Sequence, residues 1–383
     1  MRIGIVCYPT YGGSGVVATE LGKAMADKGH IVHFISYQQP ARLDTYHPNI
    51  FFHEVRFSDY PLFQYSPYES ALTSKIVDVA RFEKLDLLHV HYAIPHAATA
   101  FMAKMILREE ELFLPVITTL HGTDITLVGR DITYLPVVTF SINKSDGVTA
   151  VSEYLKEDTY KHFDIEKEIR VIPNFVDLER FQKHNKDHFK KAIAAEGERI
   201  LVHVSNFRKL KRVEDVLAVF ARVLKEIDAR LLLVGDGPTR QEMEQQCRVL
   251  GICDKVVFLG KQEAVEEILA VSDLMILPSE NESFGLAALE AMACHVPVIS
   301  SDAGGIPEVN LDGVTGFVSP VGDVEDMAAN ALKLLRDEKL LSRFRQNAYD
   351  QARRFDVEKI MPLYEAYYRQ ILVLSGKEEA DAR

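Results

Sequence analysis

The strongest constraint on this chain is an alternation: short β-branched runs separated by longer amphipathic stretches, laid down once and then repeated. Strand candidates in the first half are Arg2–Cys7, Ile31–Ser36, Leu87–His91, Val116–Leu120 and Gly147–Val151, with helical periodicity at Val16–Lys28 and Ser70–Phe82. Crossovers of that length join parallel strands, so the series spells βαβ units. It restarts with Arg199–Val204, Arg230–Val234, Val256–Leu259, Leu274–Leu277 and Val296–Ser300. Two such series predict two doubly wound α/β domains rather than one barrel, and 383 residues suffice for two cores. The polar stretch Leu178–Gly197 is the expected boundary, giving domains 1–178 and 179–356. A packing helix follows at Val357–Leu374, with Pro362 inside it, and the polar residues 375–383 read as a frayed end.

Charge narrows the partners. The chain carries 44 Lys+Arg against 56 Asp+Glu, a formal −12. Residues 1–180 hold 17 basic and 23 acidic side chains and the remainder 27 and 33, so the deficit is even. Nucleic acid and stable membrane association are therefore not expected, because both need a basic footprint. Four cysteines without a CxxC pair suggest buried thiols in a reducing compartment. No apolar run approaches the ~20 residues of a membrane span, and MRIGIVCYPTYGG lacks a signal-peptide pattern, so a cytoplasmic location is expected. No His-Cys cluster has zinc spacing and no two aspartates stand two apart, so no metal is expected.

Ligands of doubly wound sheets bind at the carboxyl ends of strands, and the conspicuous motifs follow strands. Gly12-Gly13-Ser14-Gly15 comes after the first. Read from Gly13 it fits a GxGxxA dinucleotide pattern, but the second strand ends Ser36-Tyr37-Gln38-Gln39 without the carboxylate a ribose needs. Two readings stay open: helix N-terminal amides that hold an anion, or glycines needed only for a tight turn. Glu282 and Glu290 flank a helix start expected near Ser283, with the amides of Ser283, Phe284 and Gly285 between them. Ser205-Asn206-Phe207-Arg208-Lys209-Leu210-Lys211-Arg212 is a basic cluster after a strand, a solvated face or a diphosphate clamp. Tight turns follow at Gly235-Asp236-Gly237 and Gly260-Lys261.

Taken together, these motifs resemble the retaining glycosyltransferases of family GT4, whose GT-B fold sets two Rossmann-like domains facing across a cleft. Glu282 to Glu290 reads as the E-x7-E signature, and Pro173-Asn174-Phe175-Val176-Asp177 matches the P-N-G-V-D segment with Phe175 replacing glycine. The last helix is similar to the segment that crosses back onto the N-terminal domain. The resemblance implies that Glu290 binds the nucleotide ribose, Glu282 the donor-sugar hydroxyls and Lys211 the diphosphate. His121, in Thr119-Leu120-His121-Gly122-Thr123-Asp124, would lie beside the transferred sugar. Asn206, Arg208, Gly260, Lys261, Phe284, Gly285 and Leu286 complete the implied donor contacts. Many members carry Arg-x4-Lys in the clamp; here Asn206 stands in the arginine's place, so either Arg208 supplies the second cation or the clamp is weaker.

Longer matches at Cys7–Val17, Leu88–Ala97, Thr119–Thr126 and Ser205–Arg212 resemble the branch that moves N-acetylglucosamine from UDP-GlcNAc to L-malate, toward bacillithiol. For that branch Gly13, Ser14, Gly15, Tyr92 and Thr123 are the acceptor candidates. Family chemistry implies retention at the anomeric carbon with no metal or other cofactor. A homo-oligomer is compatible with the sequence. Rival readings are another small acceptor, a GT-B UDP-GlcNAc epimerase, a nicotinamide dehydrogenase and a non-catalytic sugar-nucleotide sensor.

Overall fold

The computed structural model describes residues 1–43, 46–57, 67–182, 190 and 193–376. Part of the expected boundary stretch, residues 183–189, 191 and 192, and most of the expected frayed end, 377–383, lie outside the described residues. The chain divides into two compact units, residues 1–174 with 358–383 and residues 175–357. The division falls at Asn174/Phe175, ahead of the polar stretch, because Val176 already belongs to the second unit. Its N–H donates to Phe355 O (3.0 Å), and Val357 N–H donates to Val176 O (3.0 Å).

The first unit is a seven-stranded, wholly parallel sheet in the order β3-β2-β1-β4-β5-β6-β7. The strands are β1 (Arg2–Val6), β2 (Ile31–Ser36), β3 (Ile50–Glu54), β4 (Leu87–His91), β5 (Val116–Leu120), β6 (Gly147–Ala150) and β7 (Ile169–Val171). Helix α1 (Gly13–Asp27) links β1 to β2, and α2 (Tyr68–Glu83) links β3 to β4. The central strands β4 and β5 are buried at every residue, as parallel strands covered on both faces must be. The last helix, Val357–Leu374, packs into this unit: Tyr367 Oη accepts from Val148 N–H (2.9 Å), and Tyr368 Oη meets His89 Nδ1 (2.7 Å).

The second unit repeats the plan with six parallel strands in the order β10-β9-β8-β11-β12-β13. These are β8 (Arg199–Val204), β9 (Ala229–Val234), β10 (Val256–Gly260), β11 (Leu274–Leu277), β12 (Val298–Ser301) and β13 (Gly316–Ser319). One core cluster joins β8, β9 and β11 to the helices Val213–Val223 and Val324–Arg336 through Leu201, Phe220, Leu231, Ile276 and Met327. In both sheets the winding reverses beside the first strand, between β1 and β4 and between β8 and β11. Those are the switch points where open α/β sheets bind ligands.

Sequence periodicity did not reveal β3, β7 or β13. All three close a sheet edge; β3 shows solvent its Phe51 and Phe52, so it lacks the apolar run of a central strand. Three cysteines are buried as expected, but Cys253 is exposed, since it sits in a short 3₁₀ turn ahead of β10.

Candidate active site

Some helices here carry side-chain caps: Ser152 Oγ accepts from Leu155 N–H (3.1 Å), and Asp337 from Leu340 N–H (3.0 Å). Helix α1 begins after Gly12, and the helix Leu286–Ala293 begins after Gly285, neither with a side-chain cap. Both follow a strand at a sheet's switch point, where first-turn amides can face an anion.

In the second unit, the segment after β8 is stiffened from beneath. His203 Nδ1 donates to Ile276 O (2.8 Å), its Nε2 meets Ser205 Oγ (2.7 Å), and that oxygen accepts from Phe207 N–H (3.3 Å). Burial lowers His203 to about 4, so this relay stays neutral. The Gly235-Asp236-Gly237 turn lies directly on the same segment. A Cβ at Gly235 would fall 1.8 Å from Ser205 O, and one at Gly237 2.0 Å from Asn206 O, so only glycine fits.

Lys209–Lys211 then forms a 3₁₀ turn rather than the start of a helix, and Arg212 adopts a left-handed conformation (φ 48°) before the helix Val213–Val223. Glu280 N–H donates to Leu210 O (2.8 Å), binding the loop after β11 to this turn. The two predicted catalytic groups thereby meet: Lys211 Nζ lies 2.5 Å from Glu282 Oε2, with both side chains under one-fifth exposed. Gly305 N–H holds the Glu282 carbonyl (2.9 Å). Glu290 is buried, about one turn along the glycine-started helix.

Three expectations change. The helix expected at Ser283 starts at Leu286, because Gly285 takes φ 95° ahead of it. Phe284 offers no side chain to a ligand: it is 2% exposed and packs edge-on against Phe355 (5.6 Å between centroids), leaving only its amide. Within the basic cluster Arg212 is committed to Asp215 (2.6 Å), while Asn206, Arg208 and Lys261 are exposed. Arg208 has no ion pair with the described residues, so it is free to serve as a second cation of the clamp. Gly260 closes β10 at φ 66°.

In the first unit, helix α1 starts three residues earlier than periodicity predicts, so Gly13, Ser14 and Gly15 are its first turn. Ser14 Oγ lies 2.7 Å from Tyr92 Oη, which joins two acceptor candidates 78 residues apart. Tyr92 reaches it from a left-handed conformation (φ 88°) just after β4. His91 Nδ1 meets His121 Nε2 at 2.8 Å, and the His89 and His91 rings stack at 4.5 Å. His96 Nδ1 donates to His91 O (2.5 Å). Tyr368 from the last helix thus orients His89, which packs on His91, which holds His121. Burial pushes all four imidazoles below their usual value, so His121 serves as a neutral hydrogen-bonding group rather than a cation. Thr123 is exposed at the first position of the turn Thr123–Leu127.

Asp124, within the string Thr119–Asp124, has no local sequence signal that marks its role. Asp124 is buried and accepts from the N–H groups of Ala93 (2.9 Å), Gly122 (2.9 Å) and His121 (3.3 Å), pinning the loops after β4 and β5 together. Burial raises its carboxyl to about 6.

Both sheets follow the order 3-2-1-4-5-6, the first with a seventh strand added, which is the order of two Rossmann-like domains. Residues 11–180 match the family model for Glycosyltransferase Family 4, and residues 184–351 that for Glycosyl transferases group 1. The chain belongs to the family 4 glycosyltransferases. It is 49% identical to N-acetyl-alpha-D-glucosaminyl L-malate synthase of Bacillus anthracis, over 97% of each chain. Among solved structures it is similar to sucrose-phosphate synthase of Thermosynechococcus elongatus, with a TM-score of 0.83, 21% identity and coverage of 98% of this chain and 100% of that one. It is also similar to the Anabaena protein Alr3699/HepE in complex with UDP and glucose, with a TM-score of 0.81, 23% identity and coverage of 96% and 99%. Among the described residues no helix is long and apolar enough to cross a membrane.

Proposed function

We propose that this enzyme transfers N-acetylglucosamine from UDP-GlcNAc to the hydroxyl of L-malate, with retention and without a metal, as a cytoplasmic step toward bacillithiol. The observation that carries the reading is the 49% identity along nearly the whole length to the Bacillus anthracis enzyme of that name. Family membership and that relative both speak for group transfer, which disfavours the epimerase alternative.

In this reading the second unit takes the donor. Glu290 accepts the ribose hydroxyls. The amides of Phe284, Gly285 and Leu286, with Lys211 and Arg208, hold the diphosphate, and Asn206, Gly260 and Lys261 line the nucleotide. Glu282 binds hydroxyls of the sugar; its bond to Lys211 keeps both side chains oriented until the diphosphate shares the ammonium. The first unit takes the acceptor: the first amides of α1 receive a carboxylate, while Ser14, Tyr92 and Thr123 bind oxygens. His121, neutral, orients the sugar.

The malate hydroxyl attacks the anomeric carbon on the face the diphosphate leaves, through an oxocarbenium-like state. The departing phosphate oxygen takes the hydroxyl proton. Rate enhancement then comes from orientation and from stabilising charge on the leaving diphosphate. The test is UDP release from UDP-GlcNAc with malate, inositol phosphate, simple sugars or no acceptor. Malate-dependent release is expected. Turnover without any acceptor, or a stronger preference for one of the other acceptors, refutes the assignment.

A further inference from the structure

At the outer edge of the first sheet, away from the residues assigned above, three side chains converge. His33 on β2 and His53 on β3 place Nδ1 and Nε2 2.9 Å apart. Glu83, the last residue of α2, completes the group: one ring nitrogen from each histidine and one carboxylate oxygen lie within 4.8 Å of one another. The residues are 20 and 30 positions apart in sequence, and β2–β3 pairing sets Ile35 opposite His53, which puts His33 and His53 on neighbouring strands of one face. The rings stack at 5.2 Å, and Phe51 stacks on the other part of His33 at the same separation.

A neutral imidazole has one donor and one acceptor nitrogen. His33 is fully buried, yet its Nε2 has no hydrogen-bond partner among the described residues. That nitrogen is not the one in the 2.9 Å contact, so the candidate site rests on His33 Nδ1, His53 Nε2 and the Glu83 carboxylate, which converge within 4.8 Å. We propose that His33, His53 and Glu83 form a binding site for a divalent transition metal of the zinc class. Two imidazoles and one carboxylate are ligands such ions accept, with a solvent molecule in the fourth position. Bonds of about 2.0–2.1 Å to tetrahedral zinc separate the ligand atoms by about 3.3 Å. The histidine nitrogens need to open by only a few tenths of an ångström, and Glu83 needs to swing inward. Its present contact to Arg2 is long (3.9 Å), and Arg2 keeps a separate bond to the Glu83 carbonyl (2.7 Å). The Glu83 side chain is 38% exposed, which gives the ion a path in.

The position fixes the role. Glu83 lies by the amino ends of the strands, where Asp86 N–H donates to Arg2 O (2.9 Å), whereas Ser14, Tyr92 and His121 lie at the carboxyl ends. A metal there ties edge strand β3 to β2 and α2 without touching the transferase chemistry.

The test uses the full-length protein, stripped with EDTA and dialysed, then titrated with Co(II) and with Zn(II). One Co(II) per chain with the visible absorption of a tetrahedral site is expected, together with a Zn(II)-dependent rise in Tm. His53→Gln and Glu83→Gln should each weaken binding at least about tenfold, because losing even an outer-shell partner costs that much. Both variants should keep wild-type turnover. Absence of the absorption, or equal affinity in wild type and both variants, overturns the proposal, as does zinc that alters turnover while leaving Tm unchanged.

Discussion

Gly15 offers the sharpest test of the acceptor loop, because the obstacle to any side chain there is backbone. A Cβ at position 15 would stand 2.3 Å from Thr10 O and 2.7 Å from Tyr8 O, where ordinary contact begins at 3.4 Å. Gly15→Ala must therefore push the start of α1 away from the loop after β1 by about 1 Å. Ser14 moves with it, and its 2.7 Å contact to Tyr92 stretches beyond hydrogen-bond range. Overpacking of this kind costs about 1–3 kcal/mol, offset by about 0.5–1 kcal/mol from replacing a helical glycine. The net loss of about 0–2.5 kcal/mol corresponds to a Tm lower by up to about 10 °C for a unit of this size. A 1 Å displacement of a positioning element costs on the order of 100-fold in rate. Steady-state UDP release should thus show kcat/KM for malate about 100-fold lower. The Kd for UDP, measured by calorimetry, should stay unchanged because the proposed donor site belongs to the other unit. Gly12→Ala is the control: its Cβ meets only Thr10 Oγ1 at 3.4 Å, and its φ of −71° suits any residue. Wild-type kcat/KM for malate in Gly15→Ala would refute the acceptor assignment. An equal fall in UDP affinity would show a general loss of structure instead.

Lys211→Ala should lower kcat/KM by about 10²–10³-fold, the cost of removing a donor aimed at developing charge, and Glu290→Ala should act chiefly on the donor KM. Near-normal kinetics for Lys211→Ala would return the basic cluster to the status of a solvated face. Turnover should be the same with excess EDTA as with added Mg²⁺ or Mn²⁺; strict dependence on either ion contradicts metal-free transfer. Acid should destabilise the protein. Burial holds His89 at about 3 and His96 and His203 at about 4, and lowers His91 and His121 too. Their unfolded forms take up protons near 6.5, so stability is full above that pH and falls as pH drops toward 4. Asp124, raised to about 6, works in the opposite sense between about 6 and 4, but it is one group against five. A Tm at pH 5.0 equal to that at pH 7.5 would show that these imidazoles are not buried neutral.

Much of this protein was legible before any coordinates. Alternating strand and helix periods dictated two parallel sheets, since only crossover helices can join parallel strands. Glycines ahead of α1, the basic run after β8 and the Glu282–Glu290 spacing are local signals, each readable within a dozen residues. What lay beyond reach were the meetings. Lys211 and Glu282 are 71 residues apart, Ser14 and Tyr92 are 78 apart, and His91 and His121 are 30 apart. These pairs exist because β1 lies beside β4, β4 beside β5 and β8 beside β11, an order that local periodicity does not encode. The burial of Phe284 and the convergence of His33, His53 and Glu83 were hidden for the same reason. A sequence states which residue types follow a strand; which of them share a few ångströms is decided by strand order and by the close packing of helices around the sheet.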